Sequence, residues 1–316
     1  MAPRKAAEKS VRATLFADLG PILRGWSEPT AFGIGHDGAA YVVARRPSAE
    51  SPRVKGMFPK SRVDAPVDHL VVRADGREIR TMVVPAVSVV VSFVQPYLQG
   101  VLLVGARCYW RPGGVERNAL VVSWNGAVEQ TFTFGDGIAD VRTTADGTSW
   151  VSFFDEGVFG NYGWSHPGPK AIGASGLVAF DTSGVVRFEY DADAARTDSI
   201  CDAYATNVAE DGTVWVYFYT EFPIVRIREG GYRCWELGVG GAGALAVRDD
   251  RVLLFGDYEK RGIGRVVSLD GDTAKVVEEV RILDDSGEAL ERAWARGAGE
   301  RLFFFAGGRV MVLSDW

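Results

Sequence analysis

The sequence is poor in the residues that usually announce a framework or a metal centre. Among 316 residues there are three cysteines and three histidines. Cys108, Cys201 and Cys234 show no Cys-x-x-Cys spacing. So sparse and odd a count argues against a disulfide framework and fits a reducing compartment. His36, His69 and His166 stand apart, so no His-Glu-x-x-His pair or histidine cluster exists. No long apolar run occurs either. The longest, residues 82–91, is broken by Pro85 and Ser88 and is too short to span a bilayer. Residues 1–10 are polar and basic without an apolar stretch, which reads as a disordered tail rather than a signal peptide. Basic excess is absent as well: the net charge is −6, which disfavours a nucleic-acid-coating surface. The expectation is a cytoplasmic protein with neither nucleic acid nor membrane as a partner.

What is abundant is apolar residues, at 47 %, enough for a sizeable core. Glycine is abundant too, at 38 residues, about 12 % against a usual ~7 %. The apolar residues fall in short runs rich in Val, Phe, Tyr and Trp, separated by turn signals, which is strand periodicity. One stretch reads Ile138-Ala139-Asp140, then Asp146-Gly147, then Trp150-Val151-Ser152-Phe153-Phe154-Asp155-Glu156. Another repeats its order: Ile200-Cys201-Asp202, Asp211-Gly212, then Trp215-Val216-Tyr217-Phe218-Tyr219-Thr220-Glu221. Extending that frame gives a first series of tight turns at Asp37-Gly38, Gln99-Gly100, Asp146-Gly147, Asp211-Gly212, Asp249-Asp250 and residues 297–300. A second series lies at Asp75-Gly76, Asn125-Gly126, Ser183-Gly184, Gly230-Gly231 and Asp270-Gly271.

Two strands lie between each first turn and its second, so the unit is a four-stranded meander repeated every ~40–60 residues. Over nearly its whole length the chain resembles the six-bladed β-propeller superfold. Blades are expected at about 30–84, 89–134, 139–190, 203–237 and 243–282, with a sixth unit that has only three strands. Residues 11–17 form a spare strand, expected to lie beside residues 309–313 and complete that last blade. Residues 11–316 would then be a single all-β domain of antiparallel blades, with seven blades the alternative count. No named propeller family is matched. The WD40 Gly-His and Trp-Asp pairs, the regular kelch Gly-Gly pairs and the gluconolactonase-like pattern are all missing.

The superfold does not by itself specify a function, but its topology says which residues share a face. Loops joining strand A to B and C to D emerge on one side, and here they are tight. Loops joining B to C, and D to the next A, emerge on the other side, and here they are long. Binding sites usually sit on such loops. Asp140 and Asp202 open two successive A strands, while Glu156 and Glu221 follow the corresponding B strands, and Asp257 follows the fifth. These carboxylates are expected at the channel mouth. There Asp140, Asp202, Glu156 and Glu221 could divide acid and base roles. Alternatively Asp140, Asp202 and Glu156 could hold a divalent cation such as Ca²⁺. Repeated structural hydrogen bonds are the plainer reading of the same positions.

Three glycines and three aromatic residues make the segment 155–164 unusual. Phe159, Tyr162 and Trp164, with His166 beyond, could wall or cover a pocket, or the segment could plug the channel or pack on a neighbouring blade. Tyr204 shares a strand face with Asp202 by the two-residue period. Arg107 and Arg111 lie beside Tyr109 and Trp110 and could bind an anionic group or anchor a protein partner. Gly238 to Gly243 leads into a strand and lacks the helix that a phosphate cradle needs. The basic, proline-bearing residues 45–62 read as a mobile loop. Two functions remain open. One is a small-molecule site, working as a carboxylate-dependent or metal-assisted hydrolase or lyase. The other is a non-catalytic protein-interaction scaffold on the same loop face.

Overall fold

The computed structural model describes residues 9–316 apart from Gly56 and Lys260. Of the expected tail, residues 1–8 lie outside the described residues, while Ser10 already belongs to a strand. Six four-stranded antiparallel blades follow one another round a ring. In order A to D, blade 1 comprises Pro29–Ile34, Ala40–Arg45, Arg62–Ala74 and Ile79–Val89. Blade 2 comprises Val91–Tyr97, Gly100–Gly105, Ala119–Ser123 and Val128–Phe132. Blade 3 comprises Ile138–Thr143, Ser149–Phe153, Leu177–Phe180 and Val186–Glu189. Blade 4 comprises Asp202–Val208, Val214–Tyr219, Ile224–Arg228 and Gly231–Trp235. Blade 5 comprises Ala244–Arg248, Arg251–Phe255, Ile263–Asp270 and Thr273–Leu283. Blade 6 has Trp294–Ala298, Arg301–Ala306 and Arg309–Leu313 as its first three strands.

The fourth strand of blade 6 is Thr14–Asp18, antiparallel to Arg309–Leu313 with Thr14 opposite Val312. This is the expected closure, which leaves that edge of the sheet paired. The spare segment does more than close one blade. Ser10–Arg12 runs parallel to the outer strand of blade 5, with Val11 opposite Ile282. Ala13, fully buried, marks the crossing, and its N–H donates to Leu283 O at 2.9 Å. One short segment therefore ties two neighbouring blades together.

The core is divided among the six blade interfaces. Along each B strand successive side chains point to opposite faces. Val214, Val216 and Phe218 therefore pack toward blade 3, while Trp215 and Tyr217 pack toward blade 5. In the sixth blade Leu302 and Phe304 face blade 5, whereas Phe303 and Phe305 face blade 1. Burial on both faces explains why the B strands read as continuous apolar runs instead of alternating ones. The innermost strands approach closely. A Cβ on Gly297 would lie 1.7 Å from Leu245 O, so only glycine lets strand A of blade 6 sit this near blade 5.

Among the described residues no helix is long and apolar enough to cross a membrane.

Candidate functional site

The long-loop face carries the upper ends of the six A strands. In blades 1 to 4 the register shifts near that end, between Pro29 and Ala31, Val91 and Phe93, Ile138 and Asp140, and Ala203 and Ala205. Such bulges re-aim side chains. Ile138 and Ile200, the leading residues of the sequence repeat, are both buried. They serve as packing anchors behind Asp140 and Asp202.

Asp140 and Asp202 occupy equivalent positions with opposite surroundings. Asp140 accepts hydrogen bonds from Val141 N at 3.0 Å and Arg142 Nε at 2.8 Å. Arg296 Nε, from blade 6 across the ring, stands 3.7 Å away. Arg142 is buried and sends Nη1 to Gly297 O at 2.8 Å, which braces blade 3 against blade 6. Enclosure holds the Arg296 guanidinium below its usual range; Asp140 opposes that shift, and the charge of Arg142 adds to it. Asp140 is thus a neutralised member of a channel brace. Below this brace Asn207 donates to Leu245 O at 3.0 Å and Gly299 O at 2.9 Å, which stitches blades 4, 5 and 6 together.

Among the described residues no arginine pairs with Asp202. It is half-buried, and its carboxyl is pushed up to about 6, mainly by burial and further by the charge of Asp155. Beside it, Tyr204 shares a 2.6 Å hydroxyl–hydroxyl hydrogen bond with Tyr258. Burial raises Tyr204, and Tyr258, Asp202 and Tyr219 raise it further. Phe222 packs edge-on to Tyr204 at 5.3 Å and also contacts Tyr217, Tyr219 and Tyr258. Here a carboxyl pair adjoins an aromatic wall from blades 4 and 5.

Other expected members go elsewhere. Glu156 is ion-paired with Arg107, whose Nη2 also lies 3.0 Å from Asp136 Oδ2. Arg107 is 5 % exposed, so this expected substrate contact is an internal clamp between blades 2 and 3. Burial lifts Asp136 to about 6, with Arg107 opposing the shift. The one-turn helix Asp155–Phe159 causes the departure from expectation. It turns Glu156 toward Arg107, and Asp155, one residue earlier, is the carboxylate that acts on Asp202. Glu221 is exposed on the loop after strand B of blade 4.

The aromatic segment is not a free lid. Tyr162 lies under the Arg107 guanidinium, 4.2 Å from centroid to carbon, and meets the Tyr109 ring at 4.1 Å. Trp164 is buried against Cys108 and donates Nε1–H to Cys108 O at 2.8 Å. The segment packs on the neighbouring blade because its rings gain more burial there than over an open channel. Phe159 stays 64 % exposed, and His166 is exposed outside the cluster. Arg111 stands on the rim, 4.0 Å from Glu116. The expected metal trio of Asp140, Asp202 and Glu156 is not assembled. Among the described residues no group of three or more His, Cys, Asp or Glu could hold a metal ion, because Arg142 and Arg107 draw two of the three carboxylates away.

Two of the cavities among the described residues bear on the two faces of the ring. One, of about 580 Å³, opens on the long-loop face beside the upper ends of blades 6, 1 and 2, with Trp294, Thr30, Ser92, Arg45 and His69 among its lining. The loop expected to be mobile forms its roof. That loop is built on a small hairpin, Arg53–Val54 with Phe58–Pro59, and on Glu50, which takes Lys60 Nζ at 2.8 Å and the N–H groups of Asp64 and Ala65. The other cavity, about 750 Å³, lies on the tight-turn face, lined by His36, Glu210, Asp249 and Arg301 among others. Short turns therefore leave more room than their length implied, because turns from five of the six blades stand round it.

The YxzG family model matches residues 177–310, less than half of the chain. No curated protein matches the sequence. Among solved structures, a virginiamycin B lyase from Staphylococcus aureus aligns at 10 % identity, over 94 % of this chain and 96 % of its own, with a TM-score of 0.48. An aldose sugar dehydrogenase from Streptomyces coelicolor, solved with PQQ bound, aligns at 12 % identity over 98 % of each chain, with a TM-score of 0.49. At these identities and scores the likeness carries no activity across to this chain.

Proposed function

We propose that the protein binds a small molecule at the channel mouth of its long-loop face and acts on it by carboxylate acid–base chemistry, as a hydrolase or lyase. The observation that carries this reading is Asp202: half-buried, without an arginine partner among the described residues, and pushed to about 6 beside Asp155. A group that exchanges its proton near neutrality suits general acid–base work, and a neighbouring carboxylate in a wetter setting supplies the complementary role. In this reading Asp202 carries the proton, with the exposed Asp155 carboxylate beside it. The Tyr204–Tyr258 hydroxyl pair orients the ligand by hydrogen bonding.

A set of small polar molecules, screened by thermal shift against wild type and Asp202→Asn, tests this. A ligand at about 100 times its dissociation constant adds about 2.7 kcal/mol, which is readily seen. The expected result is a ligand whose stabilisation is much reduced in Asp202→Asn, and whose turnover in wild type has a limb near pH 6. Ligands that stabilise both proteins equally would remove the acid–base reading. The interaction-scaffold reading draws on Phe159, exposed at the helix end. A partner captured by wild type and lost in Phe159→Ser, with no small-molecule ligand found, would favour it.

A further inference from the structure

We propose that the 580 Å³ cavity beneath the 46–61 loop is a separate binding site for a small organic carboxylate with an apolar body, held at its charged end by Arg45. Arg45 ends strand B of blade 1 and is 7 % exposed. Among the described residues its side chain makes one hydrogen bond, from Nη2 to the carbonyl of Glu50 at 2.8 Å. Among the described residues no carboxylate lies within ion-pairing distance of it. The Glu50 carboxylate is turned away, committed to Lys60 and two backbone N–H groups. Asp68 is also committed, accepting from Ala86 N at 3.2 Å, and Glu28 is exposed at the rim. A buried guanidinium without a counter-charge is costly, and an anion in the cavity would supply one.

The second polar group of the cavity is His69, directly opposite Arg45 in the strand pair. Its Nδ1 lies 3.0 Å from Val67 O. A carbonyl can only accept, so Nδ1 carries the proton and Nε2 keeps its lone pair. Burial pushes His69 down to about 4, the Val67 contact opposes that, and the charge of Arg45 adds to it. The imidazole is therefore neutral at pH 7 and able to accept from a ligand hydroxyl. Val63, Val67, Val89 and Val91 supply apolar wall, with Trp294 at the side. A cation, an acceptor beside it and a valine-lined wall fit a 2-hydroxycarboxylate with an apolar substituent better than inorganic phosphate. The site is separate from the Asp202 site, whose Asp155, Asp202, Tyr204 and Tyr258 belong to blades 3, 4 and 5.

Mandelate, phenylacetate, inorganic phosphate and benzyl alcohol are suitable probes, titrated into the full-length protein while the His69 ring resonances are followed by NMR. Both carboxylates should bind and move the His69 signals, mandelate the more tightly, while benzyl alcohol and phosphate should do neither at about 10 mM. Arg45→Gln should weaken carboxylate binding about 20-fold or more, the share of one charge-assisted contact. Ala49→Trp, in the exposed roof, should block entry without touching Arg45, which keeps the test valid if Arg45→Gln fails to fold. Asp202→Asn should leave this binding unchanged, which separates this site from the one proposed above. Benzyl alcohol binding as well as phenylacetate, no His69 response to either carboxylate, or full binding in a folded Arg45→Gln protein would each overturn the proposal.

Discussion

Replacing Asp202 by Asn should stabilise the protein at neutral pH, because the native fold holds a carboxylate where it resists ionising. The group moves from its ordinary 3.8 to about 6 on folding. At full strength that corresponds to about 3 kcal/mol. The side chain is only half-buried and solvent screens it, so the expected gain is nearer 1 kcal/mol. The unfolding entropy of a chain this long, about 0.65 kcal/mol/K, converts that into about 1.5 °C. The sign follows from the raised pKa. Below pH 4 Asp202 is protonated in both states and the wild type bears no penalty. As pH rises from 4 to 6 the unfolded chain ionises first and wild-type stability falls. Above 6 both states are ionised and the deficit is constant. Urea unfolding of wild type and Asp202→Asn from pH 3.5 to 8 would therefore show curves that separate between pH 4 and 6 and then run parallel. A variant less stable than wild type at pH 8, or a difference independent of pH, would refute the assignment of Asp202 as a strained carboxylate. Asp155→Asn should narrow the separation, since it removes the repulsive part of the shift.

Two further outcomes follow from the ring. Arg107→Met leaves Asp136 buried without its cation and should cost about 3–5 kcal/mol by urea unfolding; if the variant were as stable as wild type yet lost ligand binding, Arg107 would be a binding residue after all. Removing residues 1–18 exposes the edge of blade 6 and the Phe303 face that meets Phe16 at 5.3 Å. It should cost about 4 kcal/mol, or about 6 °C in Tm, and an unchanged melting temperature would contradict the closure.

The blades were legible because their signals are local. Asp-Gly and Asn-Gly turns fix hairpins from a few residues, and two series of such turns place the strands and favour six blades over seven. The site was less legible because the fate of a carboxylate depends on what faces it across the ring. Arg142, two residues after Asp140 on the same strand, was a visible warning that Asp140 would be neutralised. Arg296, which faces it from blade 6, could not be paired with it from spacing alone. Aligning Glu156 with Glu221 by the repeat could not show that Glu156 pairs with Arg107 while Asp155 acts on Asp202, since the helical turn between Asp155 and Phe159 has no counterpart in blade 4. The Arg45 cavity was hidden for a different reason. Its roof is a proline-bearing loop whose order depends on Glu50 reaching Lys60, Asp64 and Ala65, contacts that composition does not reveal.

The segment that crosses from blade 5 to blade 6 also bears on how the protein is made. Thr14 and Val312 are paired although 298 positions separate them. Closing so long a loop costs about 5 kcal/mol in chain entropy. A growing chain cannot form this contact until the last blade has left the ribosome, so for most of synthesis residues 10–18 have no mate. During that interval a neighbouring polypeptide offers the same complementary edge. Crowded nascent chains are thereby open to exchanging these segments, and interlocked pairs of rings are the characteristic misassembly this architecture must outrun.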